Sequence, residues 1–197
     1  GDVDFSLDDY IADGGRNLTR YNAVGADLNR DHVDKVHPET QALHKNVLQK
    51  YDIDYMIDLH HQGTQARRDG KLVSGSMLYP TNDNVKPEVL EKSKKLGAVV
   101  FNAVDSTGWG HLAKYNGGNG ENIGRNGAAV QYDIATLLFE MRGMSDHFNE
   151  SAVIGQKSNG YLIKQTITTL DAAVQAIADR SIETADISFW DTLDTQK

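Results

Sequence analysis

Residues 53–60 read Ile53-Asp54-Tyr55-Met56-Ile57-Asp58-Leu59-His60. Ile53, Tyr55, Ile57 and Leu59 fall on alternate positions, the period of a half-buried β-strand. The segment ends on a histidine, and the end of a parallel strand faces the crevice where α/β proteins bind ligands. His61 follows, but neighbouring strand residues point to opposite faces, so His60 and His61 do not serve one site while the strand continues.

Outward from this strand, helices and strands alternate. Residues 38–51 read as a helix: Pro38 suits the first turn, Glu39 favours the positive end of the dipole, and Leu43, Val47, Leu48 and Tyr51 share a face. Residues 72–79 read as a strand, and residues 86–104 as a helix with an N-terminal proline. Residues 134–141, IATLLFEM, form a short apolar run suited to a central strand. Residues 158–180 read as a long helix whose Ile163, Ile167, Leu170, Val174 and Ile177 make one stripe, expected to face the core. The pattern predicts an α/β fold with a mostly parallel or mixed sheet.

The chain has 197 residues and a net charge of -8, so it is expected to be a single domain, residues 1–197, without a basic face for nucleic acid. It contains no cysteine, which excludes disulfide scaffolds, cysteine-type metal sites and thiol nucleophiles. No apolar run is long enough for a membrane span.

Four segments carry chemistry. Arg20 leads into Gly25-Ala26-Asp27-Leu28-Asn29-Arg30-Asp31, where Arg offers a planar fork for a carboxylate and Asn a neutral donor. Asp58-Leu59-His60 places a metal-ligand type at a strand end. Residues 108–126 are rich in glycine and include Tyr115, Glu121 and Arg125; they read as a mobile loop. Phe139-Glu140-Met141-Arg142-Gly143 places a carboxylate at the end of a buried strand, where desolvation raises its pKa toward that of a general base. Each segment also has an ordinary reading: a surface turn, a hydrogen-bonded histidine, a solvated loop charge, an ion pair.

The order of the segments, from Arg20 to Gly143, resembles the zinc carboxypeptidase family, the carboxypeptidase A-like metallopeptidases, and is most similar to bacterial members. The resemblance implies that Asn29 and Arg30 hold the terminal carboxylate of a substrate. It implies that Arg20 stabilises the oxyanion, with Arg16 the lesser candidate. It makes His60 a zinc ligand, Glu140 the general base and Tyr115 the tyrosine of the mobile loop. Arg125 or Glu121 would contribute to side-chain preference, although a solvated charge is the simpler reading of both. The fold implied is three-layer α/β/α with a central mixed sheet, the cofactor one zinc ion, and the substrate a peptide or amino-acid derivative with a free C-terminal carboxylate.

That family holds zinc with a His-x-x-Glu pair well upstream of the arginine, and the 19 residues before Arg20 contain no histidine. A catalytic zinc takes about three protein ligands, and only His60 is matched. The chain is therefore expected to be the C-terminal two-thirds of a catalytic domain, with two zinc ligands and the first strands of the sheet upstream. Its expected partner is an N-terminal segment of the same protein. The missing ligands are also compatible with a carboxylate-binding module that has lost the metal. They are compatible, too, with a site rebuilt from His32, His37, His44, His111 or His147, each more simply a surface or capping residue. The nearest enzymatic alternative is the aspartoacylase and succinylglutamate desuccinylase group, which cleaves N-acyl amino acids. Family habit places the protein outside the bacterial cytoplasm, in the periplasm or secreted.

Overall fold

The structure, a computed structural model, describes residues 20–108, 110–143, 145–148, 151–154 and 159–197. Four strands form the central sheet: β1 (Tyr55–Gln62), β4 (Gly75–Leu78), β5 (Leu112–Lys114) and β6 (Ala135–Arg142), in the order β1-β6-β4-β5. β1 runs parallel to β6, β6 antiparallel to β4, and β4 parallel to β5, so the sheet is mixed. Two short antiparallel pairs stand apart, β2 (Arg67–Arg68) with β3 (Lys71–Leu72), and β7 (Ser145–Phe148) with β8 (Ser151–Ile154).

The helices are α1 (Pro38–Leu43), α2 (Pro87–Val104), α3 (Gly124–Tyr132), α4 (Asn159–Ala178) and the short α5 (Phe189–Thr192). α1 continues as a single π-helical turn, His44–Leu48. One face of the sheet carries Met77, Leu112, Leu137 and Phe139, packed against Leu96, Val100 and Val104 of α2, Ala173 and Ala176 of α4, and Trp190 of α5. Trp190 lies over Gly97, where a Cβ would collide with the indole, and its Nε1 donates to the Lys94 carbonyl at 3.0 Å. The opposite face is covered by α3 and by the segment around Leu48, with Ala128, Ile134, Ile53 and Met56 in contact. The architecture is thus an α/β fold with helices on both faces of a mixed sheet.

The stripe of α4 points the other way from the expectation. Ile163, Ile167 and Val174 are 57%, 61% and 64% exposed. The face turned inward is Leu162, Gln165, Thr169, Ala173 and Ala176. Small and polar side chains let α4 approach the sheet closely: a Cβ on Gly75 would lie 2.9 Å from Gln165 Nε2, which donates to the Ser74 carbonyl. Periodicity finds a stripe, and packing decides which stripe is buried. Leu43, Val47 and Tyr51 are likewise exposed, and only Leu48 of that predicted face is buried. Among the described residues β1 pairs with β6 alone. Leu59 of β1 and Ile177 of α4 are part-exposed, at 40% and 37%.

Candidate functional site

The site forms where β1 and β6 end side by side. Their register sets His60 opposite Glu140. Strand alternation then puts Asp58, His60 and Glu140 on the face covered by α3, while exposed His61 turns to the other face. His60 Nε2 lies 2.9 Å from Asp58 Oδ1. This hydrogen bond holds the imidazole above the usual histidine range, against the opposing effect of its burial.

Glu140 is 5% exposed, and its Oε2 is buried without a hydrogen-bond partner. Burial pushes its carboxyl up, opposed by His60 and by the hydrogen bond from Tyr115. Tyr115 follows β5 directly, and its N–H donates to the Met77 carbonyl at 2.9 Å. That anchor delivers its ring to Glu140, and burial together with the Glu140 charge raises its phenol. Tyr115 is thus fixed to the sheet at the end of a strand.

The Asp27–Asp31 segment is built around its two aspartates. Asp27 Oδ1 accepts the Asn29 N–H at 3.1 Å, which starts the 3-10 turn Leu28–Arg30. Asp27 Oδ2 accepts Arg20 Nε at 3.1 Å and Nη2 at 2.6 Å. Asp31 accepts the N–H groups of Val36 and His37 at 2.9 and 3.0 Å and so folds the loop toward α1. Asn29 Oδ1 accepts the Gly124 N–H at 2.7 Å, capping the first turn of α3 from across the molecule. The oxygen is committed to this cap, and Nδ2, with no hydrogen-bond partner among the described residues, is a donor suited to a carboxylate. Arg30 is exposed at the rim and donates to its neighbour's carbonyl, Asn29 O, at 2.6 Å.

Arg125 is not a solvated loop charge. It lies in the first turn of α3, is 2% exposed, and donates through Nη2 to Thr81 Oγ1 and the Gly118 carbonyl. Its Nε is buried without a partner. Residues 124–132, which overlap the end of the predicted mobile loop, are helical. Gly124 and Gly127 hide the pattern, yet both are needed: a Cβ on Gly127 would lie 2.9 Å from the Glu121 carbonyl and 3.1 Å from His32 Cβ. Glu121 accepts from Gln131 Nε2 at 3.2 Å and lies beside α3.

Two histidines expected at the surface or at caps are in the interior. His32 is 9% and His44 is 1% exposed. His32 Nδ1 lies 3.1 Å from His44 Nε2, and His44 Nδ1 lies 2.6 Å from the Tyr132 hydroxyl. This chain runs behind Asn29: a Cβ on Gly124 would meet His32 Nε2 at 3.2 Å and Asn29 Oδ1 at 3.3 Å. Arg16 lies outside the described residues.

Among the described residues no group of three His, Asp or Glu side chains is gathered to hold a metal ion. His60 offers one ring nitrogen beyond the one engaged by Asp58, so the described donor set does not by itself fit a three-ligand zinc centre. The sequence does contain one His-x-x-Glu spacing downstream, His147-Phe148-Asn149-Glu150, seven residues beyond Glu140. Glu150 lies outside the described residues. No helix among the described residues is long and apolar enough to cross a membrane.

No protein-family model and no curated protein matches the sequence. Solved structures do match in fold. A metallo-carboxypeptidase from Pseudomonas aeruginosa, in complex with (2-guanidinoethylmercapto)succinic acid, is 18% identical with a TM-score of 0.56, over 81% of this chain and 41% of that one. A metallo-carboxypeptidase from Burkholderia cenocepacia is 16% identical with a TM-score of 0.53, over 80% and 40%. A putative carboxypeptidase from Burkholderia mallei is 15% identical with a TM-score of 0.52, over 81% and 41%. The chain has a carboxypeptidase-like fold and spans about 40% of the length of these structures.

Proposed function

We propose that this chain is part of a metallocarboxypeptidase-type hydrolase, the part that holds a substrate's C-terminal carboxylate and supplies the general base. The observation that carries the reading is the convergence on one sheet face of a buried, pKa-raised Glu140, His60 opposite it in register, and the Asn29–Arg30 turn tied to α3. The carboxypeptidase-like fold supports it.

In this reading Asn29 Nδ2 and the Arg30 guanidinium grip the carboxylate, and exposed Arg30 swings from its own backbone onto the ligand. Arg20, steadied by Asp27, faces the reacting carbonyl. Glu140 accepts a proton from the attacking water and returns it to the departing amine. Tyr115, bonded to Glu140, orients that carboxylate. A zinc ion supplies Lewis acidity in enzymes of this type. Here His60 would be one ligand and Asp58 would orient its ring. The described residues do not complete the centre, and the remaining donors come from elsewhere in the assembled protein. The open β1 edge is where a further segment of that protein adds to the sheet.

The reading is tested by calorimetric titration of the purified chain with N-benzoyl-Gly-Phe and with its C-terminal amide. The free acid is expected to bind, the amide to bind at least tenfold more weakly, and Arg30→Ala to erase the difference. Equal binding of acid and amide would refute the reading.

A further inference from the structure

The site holds cations at two depths. Arg30 is exposed at the rim, and Arg125 is buried at 2% exposure within it. They are linked through the Asn29–Gly124 hydrogen bond, since Arg30 follows Asn29 and Arg125 follows Gly124. An outer carboxylate clamp accounts for Arg30 and leaves Arg125 without a use.

Arg125 has unusual surroundings for a buried cation. None of the ion pairs among the described residues includes it. Its protein partners are two neutral oxygens, both taken by Nη2. Nε is buried and unpartnered, and Nη1 has no hydrogen bond among the described residues. Burial pulls the guanidinium pKa down, and the Asp58, Tyr115 and Glu140 charges act on it from further off. Burying a guanidinium without a paired anion is costly, and a structural arginine is normally satisfied on both edges of its fork. An unused edge beside a general base is a feature expected of a binding group.

The walls around it are shaped to leave room. A Cβ on Gly117 would lie 3.1 Å from Arg125 Nη2, 3.1 Å from Tyr115 Cδ1 and 2.9 Å from Leu78 Cδ2. Gly117 therefore lets the guanidinium and the tyrosine ring come together beside an apolar wall. The nearby carboxylates are already engaged: Asp58 by His60, Glu140 by Tyr115, and Asp27 by Arg20.

We propose that Arg125 is the inner half of a two-carboxylate site, so that the substrate is a chain ending in an acidic residue. The rim clamp takes its α-carboxylate, and Arg125 takes the side-chain carboxylate through the Nε edge. The proposal rests on the carboxypeptidase-type reading and narrows its substrate class.

The test uses the purified chain and three ligands: N-benzoyl-Gly-Glu, N-benzoyl-Gly-Gln and the α-amide of N-benzoyl-Gly-Glu. Binding is followed by calorimetry or by NMR shifts. The Glu peptide is expected to bind at least tenfold tighter than the isosteric Gln peptide. Arg125→Gln is expected to remove that preference while leaving binding of the Gln peptide unchanged. Arg125→Lys, which keeps the charge, is expected to retain part of the preference, and it carries the test if Arg125→Gln does not fold. Equal binding of Glu and Gln peptides, with the α-amide still weak, overturns the acidic subsite and leaves the terminal-carboxylate reading standing. An α-amide that binds as well as the free acid overturns both.

Discussion

Lowering the pH should unfold this protein through the buried pair His32 and His44. His44 is 1% exposed and bonded on both ring nitrogens, to His32 and to Tyr132. Burial, followed by the neighbouring His32 and Lys35, lowers its pKa from 6.5 to about 4, while Asp31 opposes the shift. His32 is lowered in the same direction by its own burial, against Asp58 and Asp31. The folded state thus takes up its proton at lower pH than the unfolded chain. Neutral His44 contributes its full stability above pH 6.5, and the contribution drains away as the pH falls toward 4. A gap of roughly 2.5 pKa units at 1.36 kcal/mol each is about 3 kcal/mol, a large share of a typical domain's stability. The assay is urea unfolding at intervals from pH 8 to 4, on wild type and His44→Phe. Other groups titrate in this range, so the informative quantity is the difference between the two curves. Wild type should lose about 3 kcal/mol more than the variant across the window. Identical pH slopes, or an NMR midpoint for His44 near 6.5, would refute the reasoning.

Three further outcomes follow from the packing. Because burial raises the Glu140 pKa, its carboxylate form is disfavoured in the fold, and its contribution is lost as pH rises through the folded pKa; Glu140→Gln should therefore melt higher than wild type at pH 8 and near it at pH 4, and a lower melting point at pH 8 would contradict this. Gly97→Ala drives a methyl into the Trp190 indole and should cost about 1–3 kcal/mol in urea unfolding; a neutral effect would mean that the indole yields freely. Ile167→Lys, on the exposed face of α4, should change stability by less than about 0.5 kcal/mol, yet reduce any association seen by light scattering; a monodisperse wild-type monomer would show that this face needs no cover.

Much of the scaffold was legible because its signals are local. The alternation at 53–60 and the apolar run at 134–141 correspond to β1 and β6, and Pro87 opens α2 where its ring fits a first turn. Asp58 and His60 are two residues apart on β1 and Glu140 is the partner of His60 on β6, so their common face follows from parity once the register is known. The register itself, and the parallel sense of β1 and β6, are long-range and appear only in the fold.

Helix α3 was hidden because Gly124 and Gly127 lower its propensity, and its formation depends on a cap from Asn29, 95 residues away. The same fold drew His32 and His44 inside and left Ile163, Ile167 and Val174 outside, the reverse of what side-chain type suggests. Sequence therefore determined which chemical groups this protein owns and roughly where β1, β4 and β6 lie, while β1 runs two residues past His60 and β5 lies inside the stretch read as a loop. The tertiary structure decided which face each helix buries and which charge lies deepest, because burial belongs to the packed surface and not to the residue. Arg125 shows the difference: in sequence it is one charge in a glycine-rich stretch, and in the fold it is a guanidinium buried in the first turn of α3 with an unpartnered Nε.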